Sequence, residues 1–407
     1  MSAPEPKQIL FVDDDPAILS GLRVRLHRFD SRWAMYFADS GAAAIDELER
    51  CDYDLIIADV RMPGMDGVEL LRTVSERWPD TIRIALSGYA GEKQVARLVP
   101  YAHQYLNKPC PSSQLEELIA RCLRLHELLP DPRLRALAGS VRTLPVTIRA
   151  HTELQAALSQ ESAGIAAVSG IIASDTALTA KTLQLANSEF FRLARRITNV
   201  EQAVGHLGLG VMRALADSAG VFWRGAEHES ITLRLDELQQ HAKTVAAAAR
   251  SLARDTPHGD DAWAAGLLHD IGYWILARDR QPELLRCLQL AVAEGLPLQE
   301  AEARLLGASH AQLGAYLLGL WGLPVGLVEA VAFHHAPERV AQAQFGALEA
   351  VAVAESLCGT DDAEIFNGRS VPASGVGTHY LKSVNAPFDW PEAARRVEAS
   401  CRSVEAS

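Results

Sequence analysis

Five side chains stand where short apolar runs end, and as a group they can move a phosphoryl group. Asp13 and Asp14 follow the run Gln8 to Val12, Asp59 closes Tyr53 to Ala58, Ser87 follows Thr81 to Leu86, and Lys108 follows Gln104 to Asn107. A carboxylate can attack phosphorus as a nucleophile. Clustered carboxylates form the hard, oxygen-rich site that Mg²⁺ favours, and Mg²⁺ would offset both their mutual repulsion and the charge of an incoming phosphoryl group. A lysine can ion-pair with phosphate oxygens and a serine hydroxyl can hydrogen-bond one. An isolated aspartate after a strand is usually a turn or helix-cap residue. The set as a whole makes Asp59 the expected phosphate acceptor.

These residues meet only if the apolar runs lie side by side with their carboxyl ends on one edge, where open α/β sheets place their chemistry. The runs alternate with helical patterns, which predicts a parallel sheet with right-handed crossovers. Asp15 and Pro16 open a helix with Ile18, Leu22, Leu26 and Phe29 on one face. Trp33 to Ala38 alternates as a strand, Asp39 or Ser40 caps a helix, and Val68, Leu71 and Val74 line another. The expectation is a five-stranded α/β doubly wound parallel sheet.

Residues 8–125 resemble the receiver domain of two-component response regulators, through ILFVDDD (9–15), DLIIADVRMPGMDG (54–67), IALSG (84–88) and YLNKP (105–109). The resemblance implies phosphorylation of Asp59 by a sensor histidine kinase. It also implies Mg²⁺ bound by Asp14, Asp59 and the main-chain carbonyl of Arg61, with Asp13 beside them. Ser87 and Lys108 then contact the phosphoryl group, and Tyr105 matches the aromatic that turns inward on activation.

A helix from Ser112 or Ser113 carries Leu115, Leu118, Cys122, Leu125 and Leu129 at three- and four-residue spacing. This stripe either packs on the sheet or, at its far end, pairs with a second copy in a homodimer. Pro130 and Pro132 then break the pattern, and residues 130–139 are expected to link a first domain, 1–129, to a second, 140–340.

The second segment reads as wholly helical. Helices are expected over 210–222, 233–254, 262–277, 298–306, 310–321 and 325–335, among others. Glu237, His241, His269, Asp270, His310, His334, His335 and Glu355 arrive from several of these helices. Imidazoles with carboxylates suit a transition ion such as Fe, Mn or Zn; the alternative is that they hydrogen-bond one another in the core, as buried polar groups must.

The order H…HD…H…HH resembles the HD phosphohydrolase superfamily, and its HDOD (HD-related output) branch in particular. The segments that carry it are IIASDTALTAKTLQLANSEFF (171–191), ITNVEQAVGHLGLGVMRAL (197–215), AGLLHDIGYWIL (265–276) and HAQLGAYLLGLWGLPVGLVEAVAFHH (310–335). The branch implies an all-α, non-catalytic signalling output that acts on a downstream protein partner. The related cyclic-di-GMP phosphodiesterases carry an Asp-Gly and a Gly-Tyr-Pro. Here Ala336-Pro337-Glu338 follows the paired histidines and no Gly-Tyr-Pro occurs, with Glu355 standing in for the late acidic ligand. A metal-dependent phosphohydrolase, or a protein that binds or cleaves cyclic-di-GMP under receiver control, is the alternative reading.

Composition narrows the classes. A net charge of −12 argues against a broad nucleic-acid surface, and no basic arm or helix-turn-helix pattern appears, so direct DNA binding is not expected. No apolar run nears the roughly 18 residues that span a membrane. Residues 1–7 lack a signal-peptide pattern, and six cysteines without a CxxC pair suit a reducing cytoplasm. Residues 341–407 are expected to form a helical extension packed on the second domain, with a loop over 359–377.

Overall fold

The computed structural model describes residues 6–29, 32–88, 96–160, 163–188, 191, 196–217, 222–224, 234–340, 344–358, 365–366 and 375–405. Five parallel strands, β1 (Lys7–Val12), β2 (Trp33–Ala38), β3 (Leu55–Asp59), β4 (Ile82–Ser87) and β5 (Gln104–Asn107), form a sheet in the order β2-β1-β3-β4-β5. Register pairs Val12 with Ala58, Asp59 with Leu86, and Ser87 with Asn107. The carboxyl ends therefore share one edge. β3 and β4 are buried along their whole length, as expected of strands covered on both faces. Helices α1 (Pro16–Leu26), α2 (Gly41–Arg50) and α3 (Gly67–Arg77) fill the crossovers, and the side chains of Asp15, Ser40 and Asp66 accept their first free N–H groups.

The apolar stripe of α4 (Ser112–Leu128) is covered within the chain. Leu115, Leu118, Cys122 and Leu129 are buried. Leu125 lies against Gly319, where a Cβ would come within 2.4 Å of its side chain. Its far end meets α15 (His310–Leu320) of the second domain, so this stripe offers no apolar seam to a second copy. The segment after it is a helix, α5 (Pro132–Gly139), rather than a free linker. The Gly139 carbonyl accepts from the fully buried Arg83 of β4 at 2.6 Å, and a Cβ on Gly139 would lie 2.1 Å from the Pro79 oxygen. Gln104 of β5 donates to the Leu320 carbonyl at 2.6 Å and fills the space beside Gly322, whose φ of +74° suits glycine. One continuous apolar core runs through both halves.

The second half is mostly helical. Its helices are α6 (Ile148–Ser159), α7 (Ile165–Ala173), α8 (Thr176–Ala186), α9 (Val200–Ala216), α10 (Leu235–Leu252), α11 (Gly259–Leu268), α12 (Ile271–Asp279), α13 (Gln281–Glu294), α14 (Leu298–Leu306), α15, α16 (Val325–Phe333) and α17 (Ala347–Cys358). Two expectations are corrected. The helix expected over 210–222 ends at Ala216, and Phe222–Arg224 pairs in parallel with Leu144–Val146, so the domain is not purely α. The single helix expected over 262–277 is broken: His269 ends α11 and Asp270 precedes α12. Helices α18 (Thr378–Ser383) and α19 (Trp390–Glu405) form the extension, with α19 against α10 and α17. Most of the loop expected over 359–377 lies outside the described residues. Among those described, no helix is long and apolar enough to cross a membrane.

Candidate functional sites

The first site lies at the sheet edge. Asp13 follows β1 and Asp59 closes β3; both are buried, while Asp14 is exposed. Ligand oxygens of Asp13, Asp14 and Asp59 lie within 4.8 Å of one another. Lys108 bridges the two buried carboxylates, with Nζ 2.6 Å from Asp13 Oδ2 and 2.9 Å from Asp59 Oδ1. Gly67 lets the loop after β3 fold back, because a Cβ there would lie 2.1 Å from the Asp59 carbonyl oxygen. Arg61 is exposed in that loop, two residues beyond Asp59.

Electrostatics leave this site short of positive charge. Burial raises the Asp59 pKa and the Asp13 charge adds to the rise, against the pull of Lys108. Lys108 is also raised: its bonds to the two aspartates outweigh the burial that would discharge it. One cation facing a cluster of three carboxylates, with an all-oxygen donor set, fits a divalent ion of the Mg²⁺ class.

Ser87 sits at the same edge with its hydroxyl buried and without a hydrogen-bond partner among the described residues. Tyr105 points inward, is 4% exposed, and donates to the Ala102 carbonyl at 3.1 Å. A small gap beside these two side chains is closed by Leu185, Ser188 and Phe191 of the helical half. Sequence alone did not place those residues against the sheet edge.

The second site is a cluster inside the helical half, built at helix ends. His241 comes from α10, His269 from the end of α11, Asp270 from the start of α12, His310 from the first turn of α15, His334 and His335 from the end of α16, and Glu355 from α17. Gly272 permits the close approach of α12 and α15, since a Cβ there would lie 2.0 Å from the His310 carbonyl oxygen. Asp270 lies at the centre. Its Oδ2 is 3.2 Å from His269 Nε2 and 3.7 Å from His241 Nε2, and its Oδ1 is 3.3 Å from His310 Nε2 and 3.9 Å from His334 Nε2. Glu355 Oε2 lies 3.1 Å from His241 Nε2 and 3.3 Å from His269 Nε2. His335 Nε2 is 3.1 Å from His310 Nε2.

Three of the rings are tied outward by their other nitrogen, while His241 Nδ1 is buried without a hydrogen bond among the described residues. Nδ1 of His269 faces the Gly266 carbonyl at 2.7 Å, that of His334 the Val331 carbonyl at 2.8 Å, and that of His310 Glu302 Oε2 at 2.8 Å. An Nδ1–H donated outward leaves the Nε2 lone pair aimed at the centre, the arrangement of ligating histidines. His269 Nε2, His334 Nε2 and Glu355 Oε2 are buried without a hydrogen bond. Four donors around an ion at about 2.0–2.1 Å are separated by about 3.3–3.4 Å, within the spread of separations found here. The donor set fits a first-row transition ion.

Charge in the cluster is shared unevenly. Despite the cost of burial, Asp270 and Glu355 are held well below the usual carboxylate range by the facing imidazoles. Despite burial, His269 is held well above its ordinary value by the two carboxylates, and Glu302 and Asp270 bring His310 to about 9. Burial and neighbouring imidazoles lower His334 to about 3 and push His335 well down.

One expected ligand is corrected. Glu237 pairs with Arg234 at 2.7 Å and lies outside the cluster, because it stands in the partly exposed first turn of α10, one turn short of the level at which His241 meets the cluster. Glu302 was missed. It is fully buried on α14 one turn after the buried Leu298, so an acid on an apolar face was the available signal.

The response regulator receiver domain profile matches residues 9–120, and the HDOD domain profile matches 144–337. An uncharacterized protein of Treponema pallidum is 26% identical over 205 residues, 49% of this chain and 39% of that protein. The hydrogenase transcriptional regulatory protein HoxA of Cupriavidus necator is 30% identical over 154 residues, 37% of this chain and 31% of that protein. The chain thus spans less than half the length of either relative. Among solved structures, the MmoQ response regulator of Methylococcus capsulatus is 22% identical with a TM-score of 0.49, covering 63% of this chain and 98% of that one.

Proposed function

This chain is a response regulator in which a receiver domain is joined to an HDOD domain, and on that premise we propose that a sensor histidine kinase phosphorylates Asp59 and that the HDOD half passes the change to a protein partner. The observation that carries the reading is the unfinished site at the sheet edge: Asp13 and Asp59 share one lysine, and the Ser87 hydroxyl at the same edge has no hydrogen bond among the described residues. An Asp59 carboxylate oxygen forms a bond to phosphorus as the bond from phosphorus to the kinase histidine nitrogen breaks. Asp13, Asp14 and Asp59, with the Arg61 carbonyl in the adjoining loop, would hold Mg²⁺, which would supply charge neutralisation for the transferring group. Lys108 and Ser87 then gain phosphoryl oxygens as partners. A modification shifts a conformational balance only by as much as its contacts differ between states, and these are the differing contacts. Of these residues Ser87, together with Tyr105, lines the gap closed by Leu185, Ser188 and Phe191, which would give the HDOD half direct access to the change.

The test is incorporation of phosphoryl groups from acetyl phosphate with Mg²⁺. The wild-type chain takes up about one per molecule and Asp59→Asn takes up none; undiminished labelling of Asp59→Asn removes the reading.

A second reading concerns the histidine cluster. Its converging Nε2 atoms, of which those of His269 and His334 have no hydrogen bond among the described residues, favour an Fe, Mn or Zn ion that His241, His269, Asp270, His310, His334 and Glu355 would hold. Such ions supply Lewis acidity and an activated water for phosphodiester hydrolysis. The missing Gly-Tyr-Pro weighs towards metal in a signalling domain rather than towards cyclic-di-GMP cleavage. Stoichiometric metal lost in His269→Ala supports the metal, and hydrolysis of a phosphodiester by the loaded protein would make the output an enzyme.

A further inference from the structure

Glu302 has no role in either reading so far, and its position is costly. It is fully buried in α14, and burying a carboxylate is expensive unless it is paired. Its hydrogen bonds among the described residues are to one residue: Oε2 accepts from the His310 backbone N–H and faces His310 Nδ1, each at 2.8 Å, while Oε1 has no partner. A helix-capping role accounts for only part of it. Ser309 and Gln312 form a reciprocal capping box that takes up the N–H groups of Gln312 and Ser309, and Glu302 Oε2 takes that of His310. The same carboxylate oxygen also faces the imidazole, a contact that capping does not require.

We propose that Glu302 is a positioning residue for a metal centre, acting through His310; the inference rests on the metal reading of the cluster above. By accepting from Nδ1 it sets the His310 tautomer, turns Nε2 towards Asp270 Oδ1 at 3.3 Å and His335 Nε2 at 3.1 Å, and makes that nitrogen a better donor. His269 and His334 are oriented by backbone carbonyls instead. Only the His310 side of the cluster carries an orienting carboxylate among the described residues. The His310, His334 and His335 half should therefore depend on Glu302, while the His241, His269 and Glu355 half should not.

The experiment uses the full chain, stripped of metal and titrated with Co²⁺ against a chromophoric chelator. Glu302→Gln, which keeps volume and an acceptor oxygen, should weaken Co²⁺ binding at the His310 side by about 10–100-fold and alter the visible Co²⁺ absorption. Glu237→Gln should match wild type in both. In a double-mutant cycle on Co²⁺ affinity, Glu302→Gln should add nothing to His310→Ala, since the carboxylate reaches the ion only through that ring. A merely structural glutamate would change the melting temperature of the metal-free chain, leave affinity and spectrum as they were, and add to His310→Ala. Co²⁺ bound equally well by wild type and Glu302→Gln, with one spectrum, overturns the assignment of Glu302 alone. A wild-type chain that takes up no Co²⁺ overturns the metal reading and this inference with it.

Discussion

Removing the Ser87 hydroxyl should have opposite consequences in the two states of the receiver. Ser87 is 3% exposed, and its buried hydroxyl has no hydrogen bond among the described residues. Such a group costs about 1–3 kcal/mol, and Ser87→Ala removes it while losing a little packing. The expected change in resting stability thus runs from about zero to a gain of about 1 kcal/mol. In the proposed phosphorylated state the hydroxyl would donate to an anionic oxygen, a bond that contributes about 1.5–3 kcal/mol, or roughly 10- to 150-fold in affinity. Urea melts give the first quantity, and calorimetric titration with beryllofluoride and Mg²⁺, a phosphoryl mimic, gives the second. The reasoning fails if Ser87→Ala lowers resting stability by more than about 1 kcal/mol while beryllofluoride binds within twofold of wild type. That outcome would make Ser87 an ordinary core residue with a bonded hydroxyl.

Asp54 offers a pH test away from both sites. Against the cost of burial, hydrogen bonds from His126, the Gln8 N–H and Lys7 hold it at about 2 instead of 3.8. A depressed carboxylate stabilises the fold above its unfolded pKa and loses that contribution as pH falls through its folded value. Asp54→Asn should therefore cost about 2 kcal/mol at pH 7, at about 1.4 kcal/mol per pKa unit, and the difference should close between pH 4 and pH 2 in urea melts. At the seam between the halves, Gly319→Val should drive its side chain into Leu125. It should cost about 1–3 kcal/mol and speed proteolysis over 130–139, whereas Gly326→Ala, whose Cβ meets nothing within 4 Å, should do neither.

The receiver half was legible because its chemistry is tied to chain order. An apolar run of strand length ending on Asp13, Asp59, Ser87 or Lys108 puts each polar group at a carboxyl end, and right-handed parallel crossovers bring those ends to one edge. The helical half was legible only in part. The ligand types at His241, His269, Asp270, His310, His334 and Glu355 could be read, but spacing that puts two residues on one helix face does not say at which level of that face the core begins. Glu237 and His241 stand one turn apart, yet one meets Arg234 at the surface and the other Glu355 in the core. The break at His269-Asp270 was hidden because apolar residues resume directly on both sides of this polar pair, the short helices being buried on nearly every side.

What the sequence determined by itself was a parallel sheet with an acidic, lysine-bearing edge, followed by a helical segment rich in histidine. Those properties follow from local periodicity and residue chemistry. Tertiary structure alone decided that α4 spends its apolar stripe within the chain, that Leu185, Ser188 and Phe191 cover Ser87 and Tyr105, and that Glu302 stands behind His310. Each is a contact between residues distant in sequence. Such contacts depend on how closely whole elements can approach, and here glycines at 139, 272, 319 and 322 set that distance.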